Sequence, residues 1–295
     1  FGLDYETLAG HAPDLVMISS CMNGQTGPER NYPGFGAQGA ALSCWNFVTG
    51  WPDREPIGPY GTLTDSLSPR FAATAIAAAV LHRRRTGRGA HVDLSQVETA
   101  LYALSPWLLD YARNGVVTSR MGNRSPRTAP HGAFPCHAEE DVDDRWVAIA
   151  VWSDAEWAAL AGLAGIDAPE LATQAARLER VDEVEALVAA WTRTQSRAQV
   201  ACALQARGIE AVPVQDFADL LADPQLAARA HFVTLTHPAL GDTLYERNAF
   251  RLSDAPEGYP SPTPTLGQHT QEVLTTLLGL SDAERAALEA AGALE

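Results

Sequence analysis

One stretch limits the folds open to this chain more than any other. Gly58 to Gly89 reads GPYGTLTDSLSPRFAATAIAAAVLHRRRTGRG. Ser68 suits a helix N-cap and Pro69 the first helical position, where a missing N–H costs nothing. An alanine-rich run follows, carrying Phe71, Ile76, Val80 and Leu81. Arg83, Arg84 and Arg85 put positive charge in the last turn, and Gly87 closes the helix. Asp65 lies three residues ahead of the expected cap, in a loop that Gly58 and Gly61 make pliable. Negative charge is favoured near the positive end of a helix. That setting suits a carboxylate nucleophile and equally an ordinary capping acid, and the residues alone leave both open.

The surrounding pattern alternates strand and helix. Asp14–Ser19 is an apolar run of strand length, which suits a buried parallel strand. A glycine- and proline-rich loop, 23–36, leads to a helix over Ala37–Val48. His91–Leu94 reads as a short strand, and Ser95 caps a helix from Gln96 to about Arg113 that Pro106 should kink. Such alternation is the α/β signature, with ligands at the carboxyl ends of strands. Gly115–Pro135 has no clear period and reads as a crossover. Arg145–Val151 is a strand, Asp154 caps a helix to Ala164, and helices are expected over Val181–Arg193 and Ser196–Arg207. Ile209–Val214 is a strand and Phe217–Leu221 a short helix. Phe232–Asn248 reads as a hairpin turning at 239–242. After an extended proline-rich stretch, 255–264, come helices over Thr270–Leu278 and beyond Ser281. The layout gives a large α/β domain over 1–115, a crossover at 116–135, a smaller α+β domain over 136–254, and a return over 255–295 whose helices pack on the large domain.

Several functions are disfavoured by composition. The chain has 295 residues and a net charge of −15, against nonspecific nucleic-acid binding. No apolar run approaches the length of a membrane span. All 21 basic residues are arginine, so a Schiff-base lysine and a P-loop lysine are excluded. The four cysteines (Cys21, Cys44, Cys136, Cys202) form no C-x-x-C pair, and a reduced, cytoplasmic protein is expected. Gly34-Phe-Gly-Ala-Gln-Gly39 matches G-x-G-x-x-G but lacks the strand that a dinucleotide fingerprint requires just before it. His131, Cys136 and His137, and the pair His231 and His237, lack ligand spacing, so no metal site is expected. No G-x-S-x-G is present for a serine hydrolase.

Taken together, a series of segments resembles the class III CoA-transferases of the CaiB/BaiF superfamily. Phe1–Leu8 (FGLDYETL), Gly24–Pro28 (GQTGP), Pro33-Gly34 with Gln38, and Tyr60–Asp65 (YGTLTD) occur in the order that family shows. So do His82–Asp93 (HRRRTGRGAHVD), Gly122-Asn-Arg124, Ala129–Gly132 (APHG), Asp223-Pro224 and Leu266–Thr270 (LGQHT). The resemblance implies a Rossmann-like large domain, incomplete here, plus a smaller α+β domain. It implies Asp65 as nucleophile on an acyl-CoA thioester, with transfer of CoA to a carboxylic acid through an aspartyl anhydride and an aspartyl-CoA thioester. It further implies CoA contacts from Tyr32, Gly34 and Phe35, and substrate contacts from Gly122, Asn123, Arg124 and Arg127. Coenzyme A then enters as substrate, with no permanently bound cofactor, and the full-length parent pairs as an interlocked homodimer.

Two departures bear on these expectations. The family's first quarter has no counterpart upstream of Phe1, so this chain by itself is expected to be inactive. The four-glycine lid of formyl-CoA transferases is replaced by Ser125–Thr128, against formyl specificity. An acyl-CoA racemase with Asp65 as base is the alternative reading, but Gly34-Phe35-Gly36 stands where that branch carries G-H-D. A noncatalytic binding module is the third.

Overall fold

Asp4 opens the first helix, α1 (Tyr5–His11), its carboxylate accepting the Thr7 amide at 2.9 Å. The computed structural model describes residues 1–295 apart from Tyr60, Glu140, Asp141, Pro256, Glu257 and Glu295. It divides into two units, Phe1–Pro213 and Val214–Glu295. In the first, β1 (Val16–Cys21) is followed by the loop carrying GQTGP, then α2 (Gly36–Leu42) and α3 (Trp45–Val48). The single helix expected over 37–48 is therefore two. Cys44 takes a left-handed conformation, φ 68°, between them, and no glycine or proline marks that break.

The long helix, α4, runs Leu63–Thr86, 24 residues, and starts six residues before the expected point. Thr62 is its N-cap, and Gly61, at φ +82°, supplies the left-handed turn that a side chain would strain. The expected cap, Ser68, lies inside the helix instead. Its hydroxyl donates to the Thr64 carbonyl at 2.7 Å and pairs with Thr99 Oγ1 at 3.0 Å. Pro69 falls in the second turn, where it offers no amide to the Asp65 carbonyl. The helix ends as expected at Gly87, whose N–H reaches the Arg83 carbonyl.

From there the chain enters β2 (Ala90–Ser95), which pairs parallel with β1 from Val16↔Ala90 to Cys21↔Ser95. β1, α4 and β2 thus form a parallel crossover unit whose strands end together at Cys21 and Ser95. The expected kinked helix is again two helices, α5 (Gln96–Tyr102) and α6 (Ser105–Asn114). Pro106 sits in the first turn of α6, where its lost amide has no partner to lose.

The rest of the first unit is built on an antiparallel sheet of order β3–β4–β5, namely β3 (His131–Pro135), β4 (Trp146–Ala150) and β5 (Glu210–Pro213). Along β4, Val147 and Ile149 alternate with more open residues and point to one face. On that face packs α7 (Asp154–Ala164); the short α8 (Gln174–Glu179) leads into α9 (Val181–Thr192), which packs there together with α10 (Arg197–Gln205). Trp157, Leu160, Val184, Val188, Val200 and Leu204 bury their side chains there at helical spacing. Each fully buried aliphatic side chain contributes roughly 2 kcal/mol of transfer free energy. The cap of α7 is Ser153, not Asp154, with the Ser153 hydroxyl accepting the Glu156 amide. Cys136 is buried against this core; burial, then the charge of Glu139, pushes its thiol up to about 11.

The second unit begins with α11 (Phe217–Ala222) and α12 (Pro224–Ala228). The expected hairpin follows as β6 (Phe232–His237) and β7 (Gly241–Glu246). His237 Nδ1 accepts the amides of Ala239 and Leu240 at the turn, 3.1 Å each. α13 (Thr270–Glu272) continues into a wider π turn over Val273–Leu277, and α14 (Asp282–Ala290) is opened by a capping box of Ser281 and Glu284. No helix among the described residues is long and apolar enough to cross a membrane.

Candidate active site

The carboxyl ends of β1 and β2 are where a parallel crossover unit exposes backbone and side chains to a ligand. A cavity of about 300 Å³ opens there, lined by Cys21, Met22, Tyr32, Gly34, Phe35, Gly36, Asp65 and Gln96. Each of these comes from a different structural cause. Cys21 ends β1. Tyr32, Gly34 and Phe35 belong to the loop before α2. Asp65 is in the first turn of α4, not in the loop ahead of it, so its carboxylate is held on a helix whose positive end favours negative charge. The side chain is exposed to the cavity. Tyr60, which opens the YGTLTD motif, lies outside the described residues.

Gln96 is held in the same cavity by its neighbours. Ser95 Oγ donates to the Met22 carbonyl at 3.2 Å and the Val97 amide to that carbonyl at 3.0 Å, so the start of α5 is tied to the end of β1 on both sides of Gln96. Its Nε2 donates to Asp65 Oδ1 at 3.0 Å. On the other side of the strand ends, Asp93 accepts the Gln25 amide with both oxygens, at 2.9 and 3.0 Å, and so fixes the GQTGP loop.

The glycines of the G-x-G-x-x-G stretch pack against protein. A Cβ at Gly36 would stand 2.7 Å from Thr62 Cγ2 and 3.1 Å from its Cα, and one at Gly39 would stand 2.8 Å from Thr64 Cγ2. They let α2 come close to the first turn of α4 and so set where Asp65 sits. Gly36→Ala must push on the stiff Thr62 side chain and backbone. It is expected to displace the first turn of α4, and Asp65 with it, at a small cost in Tm; a crystal structure of the variant beside a thermal melt checks both.

Gly122, Asn123, Arg124 and Arg127 are placed elsewhere. Asn123 and Arg124 line a second cavity, about 590 Å³, with Trp51, Met121, Phe134 and Trp146, and the two cavities share no lining residue. The Gly122 amide donates to the Gly50 carbonyl at 2.8 Å. Arg124 reaches Glu185 with Nε, 3.0 Å, and a terminal nitrogen, 2.6 Å, and also meets Asp182. Hydrogen bonding to Glu185 first, then Asp182, holds its guanidinium more firmly protonated than usual. An acid substrate at Arg124 would compete with two carboxylates already there. Arg127 is exposed. Arg83, at the far end of α4, stands 4.0 Å from Asp14 in an exposed pair. Gln96, Cys21 and Met22 were missed from sequence; the only trace of Gln96 was its position directly after the Ser95 cap.

The sequence pattern of CoA-transferase family III matches residues 1–270. The chain belongs to CoA-transferase family III. It is 33% identical to a succinyl-CoA–D-citramalate CoA-transferase from Chloroflexus aurantiacus, over 98% of this chain and 72% of that protein. A succinate–glutarate CoA-transferase from Agrobacterium fabrum is 29% identical over 94% of this chain and 69% of that protein. Among solved structures, a CaiB/BaiF family protein from Brucella suis superposes with a TM-score of 0.83 at 28% identity, covering 94% of this chain and 71% of the other. Family III membership makes the chain a transferase, with CoA transfer as its class of chemistry, and the α/β fold agrees with the alternation read from sequence.

Proposed function

We propose that this protein moves CoA from an acyl-CoA donor to a carboxylic acid, with Asp65 as the covalent nucleophile. The observation that carries the reading is the Asp65 carboxylate in the first turn of α4, open to a cavity that Tyr32, Gly34 and Phe35 also line. Asp65 Oδ2 forms a bond to the thioester carbonyl carbon; the C–S bond breaks and CoA leaves as thiolate with the electron pair. The thiolate then adds to Asp65 Cγ, and the donor acid departs as carboxylate, taking Oδ2 and its electrons. An acceptor carboxylate repeats the two steps in reverse, so the activation of the thioester is stored on the protein and not lost to water. Tyr32, Gly34 and Phe35 serve the CoA thioester end. Both relatives are named for succinyl or succinate and a second dicarboxylic acid, which makes succinyl-CoA the first donor to test.

The test is a rapid acid quench of the full-length protein after mixing with succinyl-CoA and no acceptor, followed by peptide mass spectrometry. The expected product is CoA in thioester linkage to the peptide containing Asp65. A protein that transfers CoA yet carries none there at any quench time would exclude the mechanism.

A further inference from the structure

We infer that Gln96 is a second catalytic residue of this reaction, the donor that holds the oxyanion formed on Asp65 itself. The inference rests on Asp65 being the nucleophile. Gln96 Nε2 lies 3.0 Å from Asp65 Oδ1, which leaves Oδ2 as the oxygen free to attack. Once Oδ2 is acylated, Oδ1 is the carbonyl oxygen of the anhydride. When CoA thiolate forms its S–Cγ bond, the Cγ–Oδ1 π pair moves onto Oδ1 and the negative charge shared over two oxygens in the resting carboxylate is concentrated there. Collapse returns that pair to the carbonyl and expels the acid. A donor already aimed at Oδ1 interacts more strongly with the tetrahedral species than with the carboxylate, which is the condition for lowering the barrier.

Gln96 is not needed to close its own helix. Ser95 Oγ already accepts the Glu98 amide as the α5 cap. The residues on both sides of Gln96 are tied to the Met22 carbonyl, Ser95 through its hydroxyl at 3.2 Å and Val97 through its amide at 3.0 Å. The side chain is thus presented on a fixed base, with its amide directed to the carboxylate, and no reorganisation is needed when the charge forms.

The experiment compares Gln96→Met and Gln96→Glu with wild type in the full-length protein, reading kcat, KM for succinyl-CoA, Tm and the pH profile. Methionine keeps length and volume and removes the donor. Its kcat is expected to fall about 100- to 1,000-fold, with KM and Tm little changed. Glutamate places a second carboxylate beside Asp65, and two carboxylates at this distance share one proton at low pH. The rate of Gln96→Glu is therefore expected to rise as pH falls from about 8 toward about 5, a limb that wild type and Gln96→Met lack. A Gln96→Met enzyme within about threefold of wild-type kcat would overturn the inference, since a lost oxyanion donor costs far more. A flat Gln96→Glu profile, with both variants losing rate in parallel with Tm, would overturn it too and make Gln96 structural. Absence of any CoA adduct on Asp65 in wild type would instead remove the underlying reading and this one with it.

Discussion

Asp65→Ala is expected to lower kcat for CoA transfer by at least roughly 1,000-fold, because alanine has no carboxylate to form the anhydride. Stability should hardly move. The side chain is exposed in the first turn of α4. The substitution gives up about 0.3–1 kcal/mol of favourable charge near the helix N-terminus, and alanine is the better helix former. Lost activity can therefore be read as lost chemistry. Asp65→Asn, nearly the same shape, should be as inactive as alanine, because an amide cannot carry the acyl group as an anhydride. Asp65→Glu keeps the charge but moves the carboxylate outward and away from Gln96, and should fall about 100-fold. Initial rates with succinyl-CoA and a panel of dicarboxylic acids, beside thermal melts, make the comparison. An Asp65→Ala enzyme with a tenth or more of wild-type kcat would count against a nucleophilic role.

Arg177→Met is the substitution expected to cost the most stability. Arg177 is 0% exposed, inside the core of the antiparallel sheet and its helices. Its Nε donates to the Ala129 carbonyl at 2.8 Å, one terminal nitrogen to the Leu171 and Ala172 carbonyls at 3.1 and 3.0 Å, and the other to Asp154 at 2.9 Å. The guanidinium also lies 5.4 Å from the Trp157 ring centre. One side chain thus ties the segment entering β3, the turn before α8 and the start of α7. Methionine fills most of the volume but strands three carbonyls without their donor, at about 1–3 kcal/mol for each one left buried. We expect a net loss of about 3–5 kcal/mol, which lowers Tm by roughly 10 °C. Asp154→Ala is the informative control. That carboxylate is 56% exposed, and its loss should cost less than that of Arg177, because the guanidinium keeps its three carbonyl contacts. Urea unfolding of both variants checks the order. Equal losses would mean that the ion pair, and not the carbonyl contacts, is what Arg177 supplies.

How much of this was legible from sequence differs from residue to residue. Asp65 was legible as a candidate, through its motif and its expected place before a long helix. Its exact setting was not, because Ser68-Pro69 carries the usual marks of a helix start. Those marks are local preferences, and here packing overrides them: the Ser68 hydroxyl bonds Thr64 and Thr99, and helix continues through Pro69 for the loss of one amide. The break at Cys44 left no trace, since Leu42-Ser-Cys44 contains neither glycine nor proline. β3 was hidden because His131–Pro135 is an edge strand whose glycine and proline read as loop. The glycines at 34, 36 and 39 were visible as a pattern, but only the fold shows that Thr62, Thr64 and Met22 fill the space they leave. Gln96 was out of reach for a different reason. It meets Asp65 across 31 positions of sequence, and no local signal encodes a contact between the starts of two helices.

The central claim is that Asp65 carries CoA covalently during turnover, and the acid-quench experiment tests it most directly. Full-length protein mixed with succinyl-CoA and no acceptor should give a CoA thioester on the Asp65 peptide, and addition of the acceptor acid before the quench should clear it at the turnover rate. Active protein whose Asp65 peptide stays unmodified at every quench time, or whose CoA adduct maps to another residue, would contradict the account.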